Sequence, residues 1–283
     1  MKRKFEGCPK CGRPMAEIDK ISYCLHCGYN NKPQEDDAIK YRRFIVDGNK
    51  ETSEIARRNL LNNLDGSLSY CTNRGMTRNI IDRWELGYIP SRFSRLTDQW
   101  HERLLFPIRS MDGENVVGFG GRKIKTDDRP KYVNSRSTQE YEKRKLLYGG
   151  WLLPEKTDVI YLCEGYVDVI TMDKHGYAYP VASLGTSLTP EQAELIYEKA
   201  NNVVIAYDSD NPGQIATARA LELLRKAGFE WKAISILRVI GAKDVDECLT
   251  RGGTLQKISV EDFYASNSMW KELAEVQLEG GST

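Results

Sequence analysis

In "VVIAYDSDNPG" two acids, Asp208 and Asp210, stand directly behind a run of strand formers. Val203 to Tyr207 reads as a short buried strand, and the "QIATARALELLRKAG" beyond Asn-Pro-Gly carries a helical pattern. The carboxylates therefore fall at the carboxyl end of a strand, the side of an open α/β sheet where ligands bind. Two other strand ends repeat the pattern: "LCEGYVD" brings Glu164 and Asp168, and "GAKDVDE" brings Asp244 and Asp246. Taken singly, each pair also fits an ordinary role, with Asp210 capping its helix and Asp208 facing water. Three pairs on one edge favour convergence. Like charges so gathered repel unless a cation neutralises them, and carboxylate oxygens with water suit Mg²⁺ or Mn²⁺.

A second cluster lies near the start. Cys8 and Cys11 in "CPKC" and Cys24 and Cys27 in "CLHC" are separated by 12 residues, with Gly12 and Gly28 just after each pair. Two such turns can present four thiolates in the tetrahedron that one structural Zn²⁺ needs. With all four positions filled, the site is expected to hold a fold together rather than to do chemistry, and His26 is expected outside the ligand set. Around the cysteines, Lys2, Arg3, Lys4, Lys10, Arg13 and Lys20 alternate with Phe5, Tyr23 and Tyr29. That surface fits either a solvated face with core rings or a platform for phosphates and unpaired bases.

The elements that must position these groups divide the chain. Residues 1–30 read as a zinc ribbon, 31–37 as a polar linker, 38–150 as a basic α+β subdomain, 151–260 as an α/β domain and 261–283 as a tail. In the basic part, "RLLFPIRSMDGENVVGFGGRKI" reads as two strands around an Asp112-Gly113 turn, and "MTRNIIDRWELGYI" has Ile80, Ile81 and Trp84 at helical spacing. From Asp158 onward strand and helix alternate, which implies a mostly parallel sheet covered by helices. The helix "TPEQAELIYEKA" opens on Thr189 as N-cap, Pro190 at its first position and Gln192 completing a capping box.

Charge is split between the halves. Residues 1–150 carry 29 Lys/Arg against 20 Asp/Glu, whereas 151–283 carry 12 against 20. A basic first half suits a bound polyanion and an acidic second half suits a site that gathers cations. The start "MKRKFEGCPKCG" has no apolar stretch of a signal peptide and nothing reads as a membrane span, so a cytoplasmic protein without membrane contact is expected. The C-x-x-C pairs in such a chain favour metal over disulfides.

"EGYVDV", followed 44 residues later by "DSD" with "ASLGT" between, resembles the Toprim domain of primases, topoisomerases and some nucleases. "NRGMTRNIIDRWELGYIP", "RLLFPIR", "VVGFGGRKI", "PKYVNS" and "KRKLLYGG" resemble, in the same order, the RNA-polymerase core of DnaG-type DNA primases. The likeness runs from Cys8 to about Leu249, and the all-cysteine knuckle is similar to the bacteriophage primase-helicase version. The resemblance implies template-directed synthesis of short RNA primers from ribonucleoside triphosphates on single-stranded DNA. It implies that Glu164, Asp208 and Asp210 hold two catalytic Mg²⁺ or Mn²⁺ ions, with Asp168, Asp244 and Asp246 supporting them. It further implies that Arg74, Arg103, Arg122, Lys131 and Lys143 bind template and nucleotide.

The chain departs from the bacterial pattern, which has three cysteines and a histidine in a larger zinc domain. It also lacks a G-x-x-x-x-G-K-[ST] helicase motif, so a separate replicative helicase is the expected partner. Two rival functions remain in view. A non-catalytic recombination mediator of the RecR type also joins four cysteines to a Toprim domain, but without the basic middle segment and typically with an incomplete acidic set. A Toprim nuclease would use the same metals to cut.

Overall fold

The computed structural model describes residues 7, 8, 11, 13, 16–18, 21–23, 35–91, 98–138, 141–185 and 187–266, with backbone alone for 16–18, 21–23 and 35–44. A short antiparallel hairpin, β1 (Ala16–Ile18) with β2 (Ile21–Tyr23), precedes the long helix α1 (Glu35–Leu61). Helices α2 (Ser67–Thr72) and α3 (Arg78–Arg83) then lead into a four-stranded antiparallel sheet. Its strands lie in chain order: β3 (Gly87–Ile89), β4 (Arg103–Arg109), β5 (Val116–Lys123) and β6 (Tyr132–Asn134). The expected Asp112-Gly113 turn joins β4 to β5. There the hydroxyl of Ser110 and the N–H of Glu114 both donate to Asp112 Oδ1, at 2.5 and 2.9 Å.

The second half alternates as its sequence pattern predicts. After β7 (Leu147–Tyr148) come β8 (Thr157–Cys163), α4 (Tyr166–Lys174), β9 (Pro180–Ser183), α5 (Pro190–Lys199) and β10 (Ala200–Ala206). The chain continues through α6 (Asn211–Ala227), β11 (Ile234–Val239), α7 (Val245–Thr250), β12 (Leu255–Ile258) and α8 (Val260–Ser266). The sheet order is β12-β11-β10-β8-β9-β7. Its four inner strands are parallel, and β7 and β12 pair antiparallel at the two edges. After β9 the chain crosses β8 to place β10 on the other side. The strand order reverses between β8 and β10, and crevices form at such switch points.

Alternate residues feed two cores. Val204 and Ala206 of β10 pack with α4 and α7, whereas Val203 and Ile205 pack with α5 and α6. The first core also takes in Leu60, Trp84, Phe106 and Tyr141, so both sheets share it. Trp84 stacks on Tyr148 at 5.1 Å and donates Nε1–H to Asp173 Oδ2 at 2.8 Å, while Phe106 stacks on Tyr166 at 5.1 Å. Gly120 of β5 permits that approach, because a Cβ there would sit 2.5 Å from the Tyr166 ring.

Three features differ from the sequence expectations. Helix α1 begins inside the segment read as a linker, and α8 runs from Val260 past the expected tail boundary at 261. Leu147–Tyr148, expected in the basic subdomain, supplies an edge strand of the second sheet. A two-residue strand carries no periodicity, so only pairing with β9 selects it. The capping box of α5 forms as expected, with Gln192 N–H to Thr189 Oγ1 at 3.2 Å and Thr189 N–H to Gln192 Oε1 at 3.1 Å. Among the described residues no helix is long and apolar enough to cross a membrane.

Trp84 is 1% exposed and ties α3 to β7 and α4. Trp84→Ala is expected to cost about 3–5 kcal/mol, read as a lowered midpoint in guanidinium denaturation.

Candidate active site

The carboxyl ends of β8, β10 and β11 open into one cleft of about 460 Å³. Glu164, just behind β8, and Asp208, just behind β10, flank the switch point. Asp168 comes from the first turn of α4, and Asp244 and Asp246 from the start of α7. These five acids line the cleft. Facing them across it are Arg122 of β5 and Lys131, Tyr132 and Asn134 at β6.

Local hydrogen bonds fix the acidic side. Glu164 Oε2 accepts the backbone N–H of Asp208 at 3.2 Å, which ties the two strand ends. Asp168 Oδ1 accepts the N–H of Asp246 at 3.3 Å, and Asp246 Oδ1 accepts the hydroxyl of buried Thr171 at 2.6 Å. Arg74 reaches Asp246 Oδ2 at 3.5 Å while its guanidinium lies over the Tyr70 ring. Asp244 caps α7 through the N–H of Glu247 at 2.8 Å. Asp210 caps α6 through the N–H of Gly213 at 3.0 Å and stands beside the cleft rather than among its lining residues. Gly213 is required there, since an added Cβ would meet the Asp208 carbonyl oxygen at 2.2 Å.

The cationic residues separate. Arg122 donates to the Tyr132 hydroxyl at 2.9 Å, and the Lys131 ammonium lies over the same ring. Arg103 does not join them: it is 1% exposed, and its guanidinium donates to the carbonyls of Gln99 at 2.6 Å and Lys131 at 3.2 Å. It thereby holds the strand pairing that presents Lys131. Lys143 lies over Tyr141, away from the cleft lining; burial lowers its pKa. Gln192 accounts for its placement, donating to the carbonyls of Lys143 and Leu146 at 3.0 and 2.7 Å. At the other end, Cys8 and Cys11 share one turn, with Cys8 N–H to Arg13 O at 2.8 Å and Cys11 N–H to Cys8 O at 3.3 Å. Cys24 and Cys27 lie outside the described residues.

Several lining residues were not singled out as site residues from sequence. Lys243 bridges Asp210 Oδ2 at 3.3 Å and Asp208 Oδ2 at 3.8 Å. Tyr132, Asn134 and Tyr166 form the wall opposite, with the Tyr166 hydroxyl donating to Asn134 Oδ1 at 2.5 Å. For Lys243 the available signal was its place inside "GAKDVDE", directly before Asp244 at an acidic strand end.

Burial pushes the Asp168 carboxyl up to about 8, aided by the charges of Asp244, Asp208 and Asp246. Burial, with Glu164 and Asp244, raises Asp208 to about 6 against the opposing pull of Lys243. Among the described residues no three His, Cys, Asp or Glu side chains close into a ready-made metal cage. Glu164, Asp168, Asp244 and Asp246 each accept from a hydrogen-bond donor instead, and Asp208 shares the Lys243 ammonium with Asp210. The all-oxygen donor set, with Asp168 and Asp208 raised by burial and then by their like-charged neighbours, nonetheless fits a hard divalent cation, which would relieve the repulsion.

An unfolded carboxylate titrates near 4. Between about pH 4 and 8 the fold therefore holds more protons on Asp168 than the unfolded chain does, and this contribution to stability is lost as pH rises through that window. The melting temperature without divalent metal is expected to fall between pH 5 and 8, and to fall less in Asp168→Asn. Mg²⁺ is expected to raise it more at pH 8 than at pH 5, as a thermal melt series would read.

Residues 161–249 match the family described as Toprim-like, and residues 91–152 match the DNA primase catalytic core, N-terminal domain. A DNA primase of Clostridium acetobutylicum is 38% identical over 188 residues, 66% of this chain and 30% of that protein. The DnaG primase catalytic domain solved bound to single-stranded DNA superimposes with a TM-score of 0.66 at 27% identity, covering 75% of this chain and 76% of the other. The zinc-binding and RNA polymerase domains of the Aquifex aeolicus primase share the fold, with a TM-score of 0.69 at 24% identity over 89% of this chain and 77% of that one. The chain spans less than half the length of the curated relatives it matches. It thus carries a Toprim-like domain behind a primase-core domain, in the fold of the DnaG catalytic core.

Proposed function

We propose that this chain is a DNA primase of the DnaG type, joining ribonucleotides into short RNA primers on a single-stranded DNA template. The observation that carries the reading is one cleft in which five carboxylates face Arg122 and Lys131. Carboxylates alone would repel a nucleic acid, and cations alone would bind one without chemistry; the cleft holds both.

Glu164, Asp208 and Asp210 would hold the catalytic divalent ions, with Asp168, Asp244 and Asp246 behind them. Mg²⁺ or Mn²⁺ bound there would favour ionisation of the attacking 3′-hydroxyl and neutralise charge on the α-phosphate and departing pyrophosphate. The protein's own groups do the positioning. Lys131, exposed at the start of β6, and Arg122, partly buried against Tyr132, offer cations to template or triphosphate oxygens. Arg74 and Lys143 would extend that basic track, and Arg103 serves it only by supporting Lys131. Thr171 and Arg74 hold Asp246 in place from either side. Cys8, Cys11, Cys24 and Cys27 would bind one structural Zn²⁺ in a module that helps select template, and a separate helicase would deliver the DNA.

The test combines purified protein with single-stranded DNA of mixed sequence, four ribonucleotides (one labelled) and Mg²⁺ or Mn²⁺, with products resolved on a gel. Short RNA ladders are expected, and Asp208→Asn or Glu164→Gln should abolish them with little loss of DNA binding. Cleaved template without RNA would overturn the reading in favour of a nuclease. Lys131→Ala should weaken DNA binding across sequences and reduce the salt dependence by about one counterion, read by anisotropy titration at several salt concentrations.

A further inference from the structure

Lys243 is the unassigned cation among the acids. Its ammonium contacts Asp210 and Asp208, at 3.3 and 3.8 Å, while its side chain keeps 58% exposure. Its backbone, by contrast, is pinned. The Ser209 N–H donates to the Lys243 carbonyl at 2.9 Å, the Ser209 hydroxyl reaches the Ala242 carbonyl at 3.1 Å, and the Lys243 N–H donates to Glu247 Oε2 at 2.8 Å. The strand ends behind β10 and β11 are thus locked together, and a flexible, solvated stem carries the charge between them. An ammonium on such a stem is a mobile point charge, unlike the planar fork of an arginine.

The oxygens that Lys243 contacts are those that a divalent ion at Asp208 and Asp210 would need. The ammonium and a metal there would compete for one pair of carboxylates. Lys243 also lines the same cleft as Arg122 and Lys131, so a released ammonium remains within the cleft that receives phosphates.

We propose that Lys243 is an exchangeable counter-ion: its ammonium neutralises Asp208 and Asp210 until a divalent cation takes them, and is then freed to meet the triphosphate of the incoming nucleotide. The first half stands on the geometry of the acids, and the second rests on the primase reading above. The exchange needs no covalent step; the carboxylates keep their charge and exchange one neutralising cation for another. It also couples metal loading to nucleotide capture, because the third cation reaches the phosphates only after metal has arrived.

The experiment measures Mn²⁺ binding to the full chain by electron paramagnetic resonance, without DNA or nucleotide, in wild type, Lys243→Met and Lys243→Arg. Exposed ion pairs are weak, so Lys243→Met is expected to bind Mn²⁺ about two- to fivefold more tightly, with Lys243→Arg close to wild type. Equal or weaker Mn²⁺ binding by a folded Lys243→Met would overturn the exchange. At saturating Mn²⁺, the affinity for ATP is then measured by equilibrium dialysis. Lys243→Met should bind it several-fold more weakly, and unchanged affinity would overturn the phosphate role alone. Neither arm needs primer synthesis, so a failed primase assay leaves the exchange separately decidable.

Discussion

Mutual repulsion among carboxylates brought to one sheet edge is the constraint on which the rest of this structure depends. Parallel β8, β10 and β11 all end on the same side, and Glu164, Asp168, Asp208, Asp244 and Asp246 follow those ends into one cleft. An apolar fold could not hold five ionised groups there at neutral pH without compensation. The protein compensates in three ways. Backbone amides of Asp208, Asp246 and Glu247 are spent on side-chain oxygens, Lys243 and Arg74 supply charge, and Asp168 keeps its proton well above the ordinary carboxylate range. The crowding makes the site receptive to a divalent ion and leaves the metal-free fold sensitive to pH.

The opposite wall must be held at a fixed distance for those acids to meet anything. That is the task of the shared aromatic core, where Trp84, Phe106, Tyr148 and Tyr166 join the antiparallel sheet to the α/β sheet. Tyr166 belongs to both sides at once: it starts α4 beside Glu164, stacks on Phe106 and donates to Asn134 of β6. Gly120 leaves room for its ring. The strand that follows Lys131 is therefore packed against the helix that carries Asp168. Buried Arg103 contributes from inside, through the Lys131 carbonyl.

The electrostatic split between the two halves has the same origin. A basic first half and an acidic second half would attract one another anywhere along their surfaces. The apolar core selects one arrangement, in which Arg122 and Lys131 of the first half and five acids of the second line the same cleft.

Much was legible in the sequence because it depends on local rules. Strand and helix alternation, the Asp112-Gly113 turn, the Thr189 capping box and the placement of acids at strand ends all follow from periodicity and turn chemistry within a few residues. The parallel order, once read, put the three acid pairs on one edge. Three things were settled only by tertiary structure. The edge strand β7 is too short to show a period and β12, Leu-Gln-Lys-Ile, does not alternate, so both exist because a neighbour offers backbone partners. The fate of each charge was equally hidden: Arg103 turns inward, Arg122 meets Tyr132, and Asp210 serves a helix N-terminus beside the cleft. The partners of Lys243, Asp208 and Asp210, were decided only when two loops 33 residues apart were hydrogen-bonded together. A residue's type states which charge it carries, but its surroundings decide what that charge faces, and those surroundings come from chain segments far away in sequence.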